Sequence, residues 1–496
     1  MLKDTKKKSI SKEFKFRFLS LEINGVKNVE HGHIQYDDYT SIKKGDFQTK
    51  NNGTLGIYGP NGTGKTAAVA CFRLLKAIAS DISFESDSGL KNLVSFKSNL
   101  ANINYTFFIE TPNLEKYIVS YRLNLKNSTN TDFFFDVLGE SFYVKKYDKQ
   151  NKKYIRDSNR LTIDYENNSY ISNLDAFSIK SLFGTNKEKK VNGLIDVKTL
   201  VSLGKELHRY IALSDKFISI LKNSLSIEAK ETSELLYYLK EYIRNHIYVH
   251  TTHAEALSFL GMSALYGKAN DEAGPLSGEF PLLINGPFDI LNSQRKAYEN
   301  LLKQINVIVS SFVPGFSSSF KDFGVRLVEN KSNPLQPIKV NKIELVRNVD
   351  GGQIPLSCES AGIRKFVNLA GALIQAFNHY SDFLIIDEID SGVFEFLLGQ
   401  ILEVMSKEGK GQILFTCHNL GPLETLREKN IYFTTLNQNN RYIKLAHAKT
   451  NNNIRDFYIR SLQVGGQKEE MYKETDSSYI ARSLRIGGLI ADGEEE

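Results

Sequence analysis

A chain of 496 residues is longer than one hydrophobic core can serve, so two or three lobes, or one domain with a large insertion, are expected. A hydrophobic share of 41% beside 24% charged residues excludes a disordered chain, and no apolar run approaches the roughly 18 residues a membrane-spanning helix needs. The net charge of +6 is spread out apart from short runs at Lys6 to Lys8 and Lys187 to Lys190, which permits a nucleic-acid partner without indicating one.

The basic N-terminus, MLKDTKKKSISKEF, lacks the apolar segment of a secretory signal and reads as a solvated arm. Cys71, Cys358 and Cys417 are widely spaced and odd in number, so neither a disulfide framework nor a zinc site is implied and a cytoplasmic protein is expected. Residues 14–23 alternate as a strand up to the turn at Asn24-Gly25, and TLGIY at 54–58 is a short strand running into a glycine-rich loop. A helix over 67–78 follows, with Val69, Phe72 and Leu75 on its inner side. Between 102 and 163, YTFFIE, KYIVSYRL, FFFDVL and SFYVKKY read as an antiparallel arm on the N-terminal lobe.

From about 170 to 313 the period lengthens toward 3.6, and Tyr298, Leu301, Leu302, Ile305, Ile308, Val309 and Phe312 mark a helix ending at Pro314-Gly315. This reads as a helical insertion, interrupted by a surface loop over the glycine-rich stretch 261–286. Strands return after Phe320, then a helix over 361–380, a buried strand FLIID and a further strand ILFTC before His418. The expected boundaries are 1–165 and 319–448 for the two halves of the head, 166–318 for the insertion and 449–496 for a C-terminal docking tail.

GPNGTGKT, from Gly59 through Pro60, Asn61, Gly62, Thr63, Gly64 and Lys65 to Thr66, fits G-x-x-x-x-G-K-[ST], with a strand before it and a helix, opening at Ala67, after it. Glycines let the loop N–H groups converge on phosphates, the helix start adds its positive end, Lys65 reaches the outer phosphates and the Thr66 hydroxyl holds Mg²⁺. The bland alternative, a glycine-rich turn without ligand, does not account for that flanking context. FLIIDEID then supplies Asp387 as a second metal ligand and Glu388 to take a proton from an attacking water. A buried strand ending in an acidic turn is the bland reading of Asp387 and Glu388 alone; the P-loop argues against it. His246, His250 and His253, with Glu255 nearby, have a spacing that suits a helical metal face, but the β-forming residues between them would split them between faces.

The stretch from Leu356 to Phe377 resembles the signature region of ABC-type ATPases, with Glu359-Ser360-Ala361-Gly362-Ile363 in the signature position. The resemblance implies that Ser360 and Gly362 contact the γ-phosphate bound by an opposite subunit; read blandly, Ser360 is only a helix cap. It also implies that His418 senses the γ-phosphate and that Asp390, Ser391 and Gly392 form a loop crossing a dimer interface. The glutamine such proteins place near Mg²⁺ has no counterpart between Thr66 and Lys149; Asn104 and Glu110 are the nearest alternatives.

The motif order, LEINGVKNVEHG, the P-loop, ESAGIRK, DEID and TCHN, resembles the RecF/SMC-type branch of ABC ATPases: an α/β P-loop fold with an antiparallel β arm and a helical insertion. The compact insertion and the ending NNNIRDFYIRSLQVGGQ resemble the ATPase subunit of PARIS- and AbiL-type phage-defence pairs. That likeness implies ATP and Mg²⁺ as cofactors, a homodimer or higher homo-oligomer, a separate toprim-type nuclease effector and a phage-encoded trigger, with no membrane partner. A RecF-like DNA repair ATPase is the alternative.

Overall fold

The computed structural model describes residues 14–45, 53–155, 158–167, 169–171, 187–251, 262–271, 274–283, 286–329, 337–445, 453–464, 467–473 and 476–491. The chain opens with β1 (Lys15–Val26), β2 (Val29–Gln35), α1 (Asp38–Lys43), β3 (Gly53–Tyr58) and α2 (Lys65–Ala79). Next come β4 (Leu100–Glu110), β5 (Lys116–Asn127), β6 (Phe135–Asp148), β7 (Lys153–Tyr154), β8 (Ser158–Asp164) and β9 (Ser169–Ile171). The middle holds α3 (Lys187–Glu206), α4 (Asp215–Lys222), α5 (Ile227–His246), β10 (Ile247–His250), β11 (Met262–Asp271), β12 (Gly274–Leu283), β13 (Phe288–Leu291) and α6 (Arg295–Phe312). Then follow β14 (Ser318–Val328), β15 (Ile338–Val349), β16 (Gly352–Pro355), α7 (Ala361–Asn378), β17 (Phe383–Ile386), α8 (Glu395–Glu408) and β18 (Gln412–Cys417). The last are β19 (Ile431–Thr434), β20 (Tyr442–Ile443), α9 (Ile454–Val464) and α10 (Ser477–Ala491).

Alternation along the arm strands produces the first sheet. In β5, Tyr117, Val119, Tyr121, Leu123 and Leu125 all turn into one core, as a period of two requires. This antiparallel sheet runs β2-β1-β4-β5-β6-β8-β9, with β7 on β6. The second sheet runs β10-β17-β18-β3-β19-β20, its first five strands parallel. Helix α2 lies between the two, which explains why it is apolar nearly all round, from Ala67 to Leu75. Phe18 of β1 stacks on Phe383 of β17 at 5.2 Å and meets Phe72 of α2 edge-on at 5.0 Å. At the bulge in β1, the Gln412 side chain bonds both main-chain groups of Phe18, each at 2.8 Å, joining the sheets.

On the other face of the parallel sheet, α7 and α8 pack Leu369, Leu373 and Leu402 against Leu384 and Ile386. A further core joins α6, β15 and α7 through Leu301, Ile305, Ile343, Leu345 and Val367. Glu140 of β6 is buried beneath the arm, accepting from the Tyr121 and Tyr165 hydroxyls and from the Ile211 and Ala212 N–H groups at 2.8 and 2.9 Å.

The chain thus has the α/β fold with an antiparallel arm expected from its sequence. The range 166–318 contains the expected helices, but its strand β10 pairs in parallel with β17, so this segment is woven into the central sheet rather than set apart from it. Within the stretch 261–286, read as a surface loop, residues 262–271 and 274–283 form the antiparallel pair β11–β12, from Met262–Leu283 to Asp271–Gly274. Its Gly and Pro residues lower strand propensity, and an unbroken antiparallel ladder compensates. His246 ends α5 on Asp382 and His250 ends β10, so helix and strand separate them; His253 and Glu255 lie outside the described residues. Among the described residues no cluster of His, Cys, Asp and Glu is suited to a metal ion, and no helix is long and apolar enough to cross a membrane. The first part of the tail is docked on its own chain: Tyr458 stacks on Phe433 at 4.4 Å, and Leu436 N–H donates to Glu470 O at 2.7 Å.

Candidate functional site

Strand β3 is buried throughout between β18 and β19, and it delivers Gly59 to the C-terminal edge of the parallel sheet. Two glycines explain the loop that follows. A Cβ on Gly59 would lie 1.8 Å from Thr434 Oγ1, and Gly64, at φ 92°, would set one 2.7 Å from Val29 Cγ2. Braces hold the loop on every side. The Thr63 hydroxyl donates to Pro60 O at 2.7 Å and lies 2.5 Å from Thr434 Oγ1, the Asn28 amide donates to Gly62 O, and the Tyr442 hydroxyl donates to Gly64 O at 2.6 Å. Lys65 Nζ curls over the loop to Gly59 O and Pro60 O at 2.7 and 2.8 Å. Asn61 and Gly62 form the exposed tip, Thr66 is half-buried, and Ala67 is buried in the core with its N–H on Gly64 O.

Strand β17 ends beside this loop, separated from β3 by β18 alone. Asp387 is 1% exposed; its N–H donates to His250 O at 2.8 Å, and its Oδ1 accepts from Thr416 Oγ1 at 2.6 Å. The same threonine oxygen accepts Glu388 N–H at 2.7 Å. Glu388 itself sits at φ 47°, a left-handed conformation costing a non-glycine residue roughly 1 kcal/mol. Asp390 Oδ2 accepts the His418 and Asn419 N–H groups at 3.0 and 2.8 Å, fixing the turn that carries His418. Thus Asp390, expected in an interface loop, positions the histidine of its own chain.

Burial pulls Lys65 down to about 8 against the opposing charges of Asp387, Glu388 and Asp390. Burial and then the Lys65 charge lower His418, while burial and then Lys365 lower His250 to about 4. Lys65, Asp387, Glu388, Asp390 and His418 therefore form one electrostatic group at the strand ends.

Ser360 is exposed and caps α7, accepting Ile363 N–H at 3.3 Å. Gly362 is buried against Gly392, where a Cβ would fall 2.2 Å from the Gly392 carbonyl oxygen. Among the described residues no recorded hydrogen bond joins either to the P-loop of the same chain. Glu110 lies at the far end of the arm, paired with Lys15 and Lys116 at 2.8 and 3.5 Å, and Asn104 lies within β4. The strand beside β17 ends instead in His250.

Sequence reasoning missed Thr416, Asn28, Thr434 and Tyr442, which become neighbours of the site only through sheet order and carry no motif. Lys27 is another: it sits at φ 52° between β1 and β2, lowered by burial and then by Arg73, with Asp387 pulling the other way. Its signal was the turn at Asn24-Gly25.

The residues fit a nucleotide with a divalent cation. The loop is closed to side chains at Gly59 and Gly64, the helix start follows it, and Thr66 and Asp387 offer the oxygen donors a hard cation takes.

No protein-family model matches the chain, and no curated protein matches it. Among solved structures it is similar to the Smc head domain of Pyrococcus yayanosii, at 12% identity over 90% of this chain and 100% of that one, with a TM-score of 0.39. It is also similar to the Smc head bound to the C-terminal winged-helix domain of ScpA (13%, 87% and 98%, 0.37) and to the recombination mediator RecF with ATP (12%, 87% and 100%, 0.36).

Proposed function

We propose that this chain is a Mg²⁺-dependent ATPase of ABC head type. The single observation that carries the reading is the Thr416 hydroxyl, which orders Asp387 and the Glu388 peptide together at the strand ends beside the P-loop. Bound Mg²⁺ would neutralise charge on the phosphoryl oxygens. Thr66 and Asp387 would hold the ion, Lys65 and the loop N–H groups would hold the phosphates, Glu388 would take the proton from water, and His418 would sense the γ-phosphate. The test is a pair of variants: Lys65→Ala loses tight nucleotide binding, whereas Glu388→Gln binds ATP and does not turn it over. Normal hydrolysis by Glu388→Gln would remove the proposed base.

The wider role we propose is a nucleotide-controlled sensor or scaffold of an anti-phage defence pair, in which two or more copies sandwich ATP and govern a separate nuclease. The likeness of the compact insertion and the ending NNNIRDFYIRSLQVGGQ to such ATPases supports it, as do the exposed apolar side chains of α10, with Tyr479 70% and Leu484 74% exposed. Control requires that the partner bind the nucleotide-bound and nucleotide-free forms differently. Co-purification with the neighbouring gene product, and survival of phage infection, should differ between Lys65→Ala and Glu388→Gln. Tight, salt-dependent duplex binding by the protein alone, with no effect on a partner, would favour a RecF-like repair role instead.

A further inference from the structure

Lys365 lies in the second turn of α7 and is 3% exposed, yet its ammonium faces main-chain oxygens of another segment. It donates to Glu388 O at 2.5 Å and to Ser391 O at 3.1 Å. The Glu388 residue is therefore gripped at both ends. Its N–H is held by Thr416 of β18 and its carbonyl by Lys365 of α7, across a left-handed backbone that needs such restraint to persist. The His250 ring lies in the same buried pocket of charge, 6% exposed, with Nε2 lacking a hydrogen-bond partner. A second link runs parallel to the first: Gly362, one turn earlier, is in van der Waals contact with Gly392.

We propose that Lys365 is a positioning residue for Glu388, tying the direction of that carboxylate to the start of the helix capped by Ser360. Anything that shifts the start of α7, including a phosphate seated against Ser360, then displaces the carbonyl anchor of Glu388 in the same chain. Occupancy at the start of α7 is thereby read, through its second turn, as the catalytic geometry of Glu388. The inference rests on the reading of Glu388 as the water-activating base.

The experiment compares full-length Lys365→Met, Lys365→Arg and Glu388→Gln proteins by thermal melting, titration with a fluorescent ATP analogue, and steady-state hydrolysis of ATP with Mg²⁺. Methionine keeps the volume and removes the donor. The expected result is nucleotide affinity within about twofold of the parent and kcat lower by about tenfold or more, with Lys365→Arg recovering part of the loss. A folded Lys365→Met protein with the parent's kcat, beside an inactive Glu388→Gln protein, overturns the proposal and leaves the base intact. Hydrolysis by Glu388→Gln at the parent's rate overturns the base itself. If Lys365→Met does not fold, Lys365→Arg decides alone, because its longer fork shifts the carbonyl anchor: kcat reduced about threefold or more at unchanged affinity supports the proposal, and unchanged kcat overturns it.

Discussion

Thr416 Oγ1 donates to the buried Asp387 Oδ1 at 2.6 Å, while its own lone pair receives the Glu388 N–H. One hydroxyl thus serves a carboxylate and a peptide that neither solvent nor another side chain replaces easily. Thr416→Val keeps the shape and leaves both unsatisfied, which should cost about 1–3 kcal/mol of stability and lower kcat more than nucleotide affinity. Thr416→Ser should behave like the parent. Denaturant unfolding and steady-state hydrolysis check the pair; a Val variant with parental kcat would refute the threonine's role.

Gly362 packs on the Gly392 carbonyl, so Gly362→Ala should perturb the loop of Asp390 to Gly392 within its own chain, whatever a second copy does. Ser360 is exposed, so Ser360→Arg should fold normally and lose activity only if the helix start meets a phosphate of another subunit. Mixing Lys65→Ala with Ser360→Arg protein should then recover partial activity, since one composite site is intact in the mixed dimer. Folded mixed dimers without recovery would argue against composite sites.

Gln412 spans the two sheets through both main-chain groups of Phe18. Gln412→Leu leaves a buried N–H and C=O unpaired at the bulge, and unfolding free energy should fall by about 2 kcal/mol or more. Equilibrium denaturation measures it, and a change under about 0.5 kcal/mol would contradict the bridge.

Burial raises the Glu140 carboxyl above its ordinary 4.5 despite hydrogen bonds from Tyr121 and Tyr165 that favour its charge. The folded state therefore holds this proton more tightly than the unfolded state. Its contribution is complete below the unfolded pKa and is lost as pH rises from 4.5 through the folded value. Glu140→Gln should flatten that part of the stability-against-pH curve, and an unchanged slope would exclude the residue as its source.

The P-loop and the acidic strand end were legible because both chemistries demand fixed residue types at short spacing. Strand β10 was legible only in part: the β-forming residues of IYVH foretold that His246 and His250 would be split, but so short a segment gives no sign of its parallel pairing with β17. The hairpin over 262–283 was hidden by its glycines, since a ladder of main-chain bonds needs no side-chain signature. Residues such as Thr416, Tyr442 and Lys365 act through one or two hydrogen bonds to segments distant in sequence, so their partners are fixed by topology alone.

Strand β3 owes both of its sheet neighbours, β18 and β19, to chain synthesised long after it. On the ribosome, β1–β2 and β4–β5–β6 pair as hairpins and β4 joins β1 once residue 110 is made, so the arm can clasp α2 early, whereas the P-loop strand must wait for residues 412–434 to emerge. Capture of nucleotide is therefore a mark of completed synthesis: nascent chains arrested before β18 would carry the full phosphate-binding motif and yet lack the sheet that gives it shape.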